Sequence, residues 1–126
     1  VAKILKQLDR PVINVVAGKR GSPTYGKDLV AGIRRLVGEG KSGIYHMGNA
    51  GTPTRVDIAR EIVRITGSGA EIQEVEPSFF GATYVDRSGN ESLTSKVPYM
   101  RPWQDALAEY IHTEWSGTCK NKIMEG

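Results

Sequence analysis

The segment Gly21-Ser22-Pro23-Thr24-Tyr25-Gly26-Lys27-Asp28 comes nearest, by residue type and spacing, to a known ligand chemistry. It follows the β-branched run Val12-Ile13-Asn14-Val15-Val16 and matches the phosphate-cradling pattern GxxxxGK[ST] up to its lysine. In that pattern, backbone N–H groups surround the phosphates, the lysine holds the terminal ones, and the closing hydroxyl binds magnesium. Here Asp28 stands where the hydroxyl belongs, and its carboxylate would repel the phosphate that the lysine attracts. Pro23 also removes one N–H from the loop. A second near-match, Gly40-Lys41-Ser42, has Arg35 in place of the leading glycine. Neither stretch is expected to hydrolyse a nucleotide.

A dinucleotide fingerprint fails in the same place, because Gly18 and Gly21 are followed by Thr24 at the third glycine position. None of Tyr25, Tyr45, Tyr84, Tyr99 and Tyr110 has a lysine four residues on, so the Tyr-x-x-x-Lys proton-donating couple of short-chain reductases is absent from this segment. Nucleophilic catalysis has no better support. His46 alternates with Ile44 and reads as a packed histidine; His112 falls on the polar side of a helix; Cys119 lies in the C-terminal tail, where a thiol lacks an activating environment. Asn90-Glu91-Ser92 fits the glycosylation triplet by coincidence. Trp103 and Trp115 read as core and helix-end packing. One cysteine and two histidines exclude a disulfide framework and a multi-cysteine zinc site, so no metal is expected.

The 126 residues are 39% hydrophobic and 25% charged, enough for one globular domain with a real core. No run approaches a membrane span and no apolar leader is present, so neither a membrane nor secretion is expected, and a cytoplasmic protein fits. Residues 1–40 hold eight Lys/Arg against three Asp/Glu, whereas 41–80 hold four against five and 81–126 five against six. Basicity confined to one third suits a phosphate-bearing small ligand. It lacks the stripe and stacking aromatics that nucleic acid calls for.

The elements that would position these residues can be placed by period and punctuation. Val1, Ile4, Leu5 and Leu8 share a helical face that Pro11 stops; a chain that opens inside a helix, at Val1 and without a cap, reads as part of something longer. Residues 11–18 read as a buried strand. A helix runs from Tyr25 to Val37 with Leu29, Val30, Ile33, Leu36 and Val37 as its apolar face, and glycines bracket a second strand at 43–48. Thr54 caps a third helix with Asp57 as capping-box partner, Val56, Ala59, Ile62 and Val63 facing inward, and Gly67 ending it. Residues 71–77 form a third strand, 78–100 a long functional loop, and Pro102 opens a helix with Trp103, Ala106, Leu107, Tyr110 and Ile111 inward. The alternation predicts a small α/β unit over 1–115, followed by a frayed tail at 116–126.

The order VVAGKRGSPTYGKDLVAGI, GIYHMGNAGTPTRVDIAREI, RSGNESLTSK, MRPWQDALAEYI resembles the C-terminal half of dTDP-4-dehydrorhamnose reductases, of the extended short-chain dehydrogenase/reductase superfamily, and is collinear with it from Val1 to Trp115. The resemblance implies a small, mixed or parallel-sheet substrate-binding portion without the Rossmann cofactor domain. NAD(P)H and the catalytic residues would belong to an N-terminal Rossmann half, so the chain alone is expected to bind no cofactor and to be inactive. The implied partners are a dTDP-sugar and that half, with a homodimer open to the intact protein. The resemblance assigns substrate contact to Arg20, Gly21, Ser22, Pro23 and Thr24, and to Arg87, Asn90 and Ser92. Gly18-Lys19-Arg20 replaces the family's Asp-Gln before the turn, and Arg87-Ser88 replaces its Arg-Pro. The residues make physical sense of these roles: Pro23 stiffens a turn before a helix N-terminus, which favours anions, and Lys19 and Arg20 add charge there. A guanidinium such as Arg87 can grip a diphosphate bidentately. Other readings are a non-catalytic relative like the regulatory subunit of methionine adenosyltransferase, another nucleotide-sugar epimerase or dehydratase, and a stand-alone phosphate-binding domain.

Overall fold

A computed structural model describes residues 1–83 and 88–115. Helix α1 spans Ala2–Leu5, strand β1 Val12–Val16, helix α2 Gly26–Gly38, helix α3 Arg55–Thr66, strand β2 Glu71–Val75 and helix α4 Trp103–Glu114. The strands pair in parallel, with Ile13 opposite Ile72 and Val16 opposite Val75. The ladder is continued by Glu71 N–H to the Pro11 carbonyl and Ala17 N–H to the Val75 carbonyl, both at 2.9 Å. A parallel pair needs a long crossover, and the stretch containing α2 and α3 supplies it. The expected α/β unit is what forms.

The core lies where α3 packs across both strands and against α1 and α4. Alternation along β1 sends Ile13 and Val15 into it, where they meet Leu5, Leu8, Val56, Ala59, Ile62, Trp103, Leu107 and Ile111. Local chemistry defines α3. The Thr54 hydroxyl accepts from Asp57 N–H at 3.1 Å while Asp57 Oδ2 accepts from Thr54 N–H at 2.9 Å, completing the capping box. Gly67, at φ 70°, ends the helix in the left-handed region that favours glycine.

Three expectations require correction. Residues 43–48 form no strand and join no ladder among the described residues; Ile44 is 79% exposed, and His46 is exposed rather than packed. Strand-forming residues need a partner edge, and β1 pairs with β2 instead. Helix α2 forms, but its apolar stripe turns outward: Val30, Ile33 and Val37 are 58%, 47% and 73% exposed, while the buried position is Gly32. The third strand stops at Val75, and Pro77–Thr83 coils into short 3₁₀ turns kinked at Gly81, so regular structure enters the expected loop. Tyr84–Arg87 and the tail at 116–126 lie outside the described residues. Among the described residues, no helix is long and apolar enough to cross a membrane.

Candidate functional site

The chain leaves β1 at Val16 and reaches Arg20, where three segments meet. Arg20 N–H donates to the Gly89 carbonyl at 2.8 Å, and its carbonyl accepts from Glu91 N–H at 3.0 Å, forming a parallel bridge to Asn90. On its other side the Lys19 carbonyl accepts from Arg55 N–H at 2.9 Å and Gly21 N–H donates to the Pro53 carbonyl at 3.2 Å, an antiparallel bridge to Thr54. The Arg20 guanidinium donates to the Thr52 carbonyl at 2.8 Å. This short crossing anchors the glycine-containing turn to the start of α3 and to the segment after Arg87.

The next residues strengthen that join. Leu93 N–H donates to the Ser22 hydroxyl at 2.7 Å, across 71 residues of sequence. Thr24 Oγ1 donates to the Ser22 carbonyl at 3.0 Å, closing the turn on itself. Asn90 Oδ1 accepts from both the backbone N–H and the hydroxyl of Ser92, and its backbone N–H meets the Ser88 hydroxyl at 3.3 Å. Thus Arg20, Gly21, Ser22, Pro23 and Thr24 lie on one turn that is bonded directly to the segment carrying Asn90 and Ser92. Arg87 lies outside the described residues. The Ser22 and Ser92 hydroxyls are engaged within the protein, while Arg20 and Asn90 remain exposed to solvent.

A polar node beneath the turn carries residues that spacing did not single out as site residues. Asn49 is 2% exposed; its Oδ1 accepts from Tyr25 N–H at 2.8 Å, and its Nδ2 donates to Asp28 Oδ2 at 2.8 Å and to the Arg101 carbonyl at 3.2 Å. Arg101 in turn binds both Asp28 oxygens, at 2.9 and 3.1 Å. Burial alone would push the Asp28 carboxyl up, but hydrogen bonds from Arg101 and Asn49 outweigh it and hold the group below the usual carboxylate range. Asp28 therefore has a specific partner, which explains an acid where the phosphate pattern wants a hydroxyl. Lys27 is exposed, 3.7 Å from Glu114 and 5.9 Å from the Tyr25 ring centroid, as befits a surface helix lysine. The Arg-Pro step before α4 and the Asn after His-Met-Gly were visible in sequence, but nothing in their spacing joined them.

The β1–α2 turn does not form the backbone N–H cradle with which a dinucleotide fingerprint holds its pyrophosphate. Pro23 has no N–H, the Tyr25 N–H is already bonded to Asn49, and Asp28 brings a carboxylate to the first turn of α2. The site gathers the exposed Arg20 guanidinium, one of whose N–H groups is bonded to the Thr52 carbonyl, with amides and hydroxyls, groups suited to bind and orient an oxygen-rich anionic ligand.

Known proteins resemble this chain along most of its length. The family model described as the RmlD substrate binding domain matches residues 1–115. The dTDP-4-dehydrorhamnose reductase of Mycolicibacterium smegmatis is 32% identical over 108 residues, covering 79% of this chain and 32% of that protein. The spore coat polysaccharide biosynthesis protein SpsK of Bacillus subtilis is 31% identical over 112 residues, covering 85% of this chain and 38% of that protein. Among solved structures, dTDP-4-dehydrorhamnose reductase from Yersinia enterocolitica aligns with a TM-score of 0.75 at 27% identity, over 88% of this chain and 42% of that one. The Bacillus anthracis dTDP-4-dehydrorhamnose reductase, solved in complex with NADP, aligns with a TM-score of 0.76 at 25% identity, over 87% of this chain and 41% of that one. The chain thus spans between a third and about two fifths of the relatives it matches. It belongs to the RmlD substrate-binding domain family.

Proposed function

We propose that this chain is the nucleotide-sugar-binding portion of an NAD(P)H-dependent dTDP-4-dehydrorhamnose reductase. The turn Arg20–Thr24, with Asn90, Ser92 and Arg87, would hold the dTDP-sugar. The observation that carries this reading is the crossing at Arg20, which brings residues far apart in sequence to one anion-suited edge. In the reaction served, a hydride from NAD(P)H adds to the 4-keto carbon and a proton completes the hydroxyl, giving dTDP-rhamnose. This chain's part is to bind and orient. The cofactor is assigned to a separate dinucleotide-binding portion, because the β1–α2 turn lacks the three-glycine fingerprint, with Thr24 at its third glycine position.

Two surface features support a second body of protein against this one. Ile33 and Val37 of the outward stripe share a groove with Leu29, Leu36 and Leu93, the last 49% exposed. Contiguous apolar surface of this kind is ordinarily covered. The segment 43–48 beside it, which forms no strand, has β-branched and aromatic residues suited to pairing with an added sheet edge.

Amide-resolved NMR titration of the chain with dTDP, and separately with NADPH, tests the proposal. Shifts confined to residues 20–24 and 88–92 with dTDP, and none with NADPH, are expected. Shifts centred on a second groove, lined by Asp57, Arg60 and Arg64 of α3 and by Trp103, or NADPH shifts at the β1–α2 turn, would overturn it.

A further inference from the structure

We infer that Asn49 is a positioning residue for this site: its buried carboxamide sets the conformation of the turn Ser22–Tyr25 and thereby its affinity for a nucleoside diphosphate. The inference rests on the substrate-binding reading above. The chemistry of its three partners dictates how the amide lies. Tyr25 N–H is a donor and requires the oxygen; the Asp28 carboxylate and the Arg101 carbonyl are acceptors and require the two N–H groups. A flipped amide would lose all three bonds at a side chain that is itself buried.

The turn is therefore pinned at both ends. Ser22 is held to Leu93, on the segment that carries Asn90 and Ser92, and Tyr25 is held to Asn49. Between them the chain rests on Gly48, where an added Cβ would lie 3.1 Å from Ser22 Cβ and 3.4 Å from Thr24 Oγ1. The pair Gly48-Asn49 is the floor of the turn. The next residue, Ala50, ties that floor to α4, donating to the Arg101 carbonyl at 2.9 Å and accepting from Trp103 N–H at 3.0 Å. Without Asn49 the Ser22 end would stay fastened while the Tyr25 end swings, spoiling the spacing between the turn and the Asn90 segment.

The test measures dTDP affinity by calorimetry on this chain, with Asn49→Ala set against Ile62→Val, a core change that lowers stability away from the site. Asn49→Ala is expected to weaken dTDP at least fivefold, and Ile62→Val to stay within twofold at an equal or larger loss of melting temperature. Should Asn49→Ala not fold, Asn49→Asp replaces it. That change sets carboxylate oxygens against Asp28 and the Arg101 carbonyl, where the amide donated both N–H groups, and should weaken dTDP at least fivefold. Unchanged dTDP binding in Asn49→Ala or Asn49→Asp, or a loss no greater than that of Ile62→Val, would overturn the inference alone. If the unaltered chain does not bind dTDP, the substrate reading fails. Amide exchange at Tyr25 then decides the conformational role: faster exchange in Asn49→Ala upholds it and unchanged exchange overturns it.

Discussion

Arg101 meets Asp28 with a fork: Nε lies 2.9 Å from Oδ2 and Nη2 3.1 Å from Oδ1, and Nη2 also reaches Glu109 at 3.2 Å. The pair joins the first turn of α2 to the entry of α4 across 73 residues of sequence. Asp28 is the more enclosed partner, with 18% of its side chain exposed against 36% for Arg101.

Removing Arg101 therefore leaves a half-buried carboxylate with Asn49 as its hydrogen-bond partner among the described residues. Arg101→Met is expected to cost about 1–2 kcal/mol, less than a fully buried pair would lose, because water already reaches the guanidinium. Urea denaturation followed by circular dichroism checks this. A midpoint equal to that of the unaltered chain would show the pair to be energetically idle.

The same carboxylate makes stability depend on acid, and Asp57 adds to the effect. Hydrogen bonding from the Thr54 backbone, against the opposing effect of burial, holds Asp57 below its ordinary range. A carboxyl depressed in the folded state takes up its proton first in the unfolded chain. Its stabilisation is present above the ordinary carboxylate pKa of about 4 and is lost as pH falls through the lower folded values. Urea midpoints should be flat from pH 7 to 5 and fall below about pH 4. Asp28→Asn should lower the pH 7 midpoint and flatten the acid limb; an acid limb of unchanged depth would remove Asp28 from the account.

The outward stripe on α2 predicts self-association or binding of a hydrophobic dye. Val30→Lys with Val37→Glu should reduce both and shift stability by no more than roughly 0.5 kcal/mol per site, since these side chains pack little within the chain. Sedimentation velocity and dye fluorescence measure it. An unaltered chain that is monomeric and dark to the dye would show that this face needs no cover.

Arg87 and Lys27 divide the two ligand readings of the turn. With a nucleotide sugar held as proposed, Arg87→Ala loses a charge-assisted contact worth about 1.5–3 kcal/mol, a ten- to hundredfold loss of dTDP affinity. Lys27→Ala should change affinity less than twofold, consistent with its exposed place beside Glu114. The reverse ranking in calorimetry would favour a phosphate loop over the sugar-nucleotide site.

Features written in neighbouring residues could be read without a structure. The α3 start is an exchange of bonds between Thr54 and Asp57, three residues apart, and its end a glycine at the required φ, so both follow from local chemistry. The β-branched run of β1 and the collinear family segments were legible for the same reason. The partners of Asn49 lie 24, 21 and 52 residues away, and no period or motif announces them. The apolar stripe of α2 marked a face that seeks cover without saying what covers it, and the segment around Ile44 had strand-forming residues without an edge to pair with. Burial and pairing depend on which segments the fold brings together, so only the tertiary structure decided that α2 turns its small residue, Gly32, inward and that Asp28 answers to Arg101 instead of a phosphate.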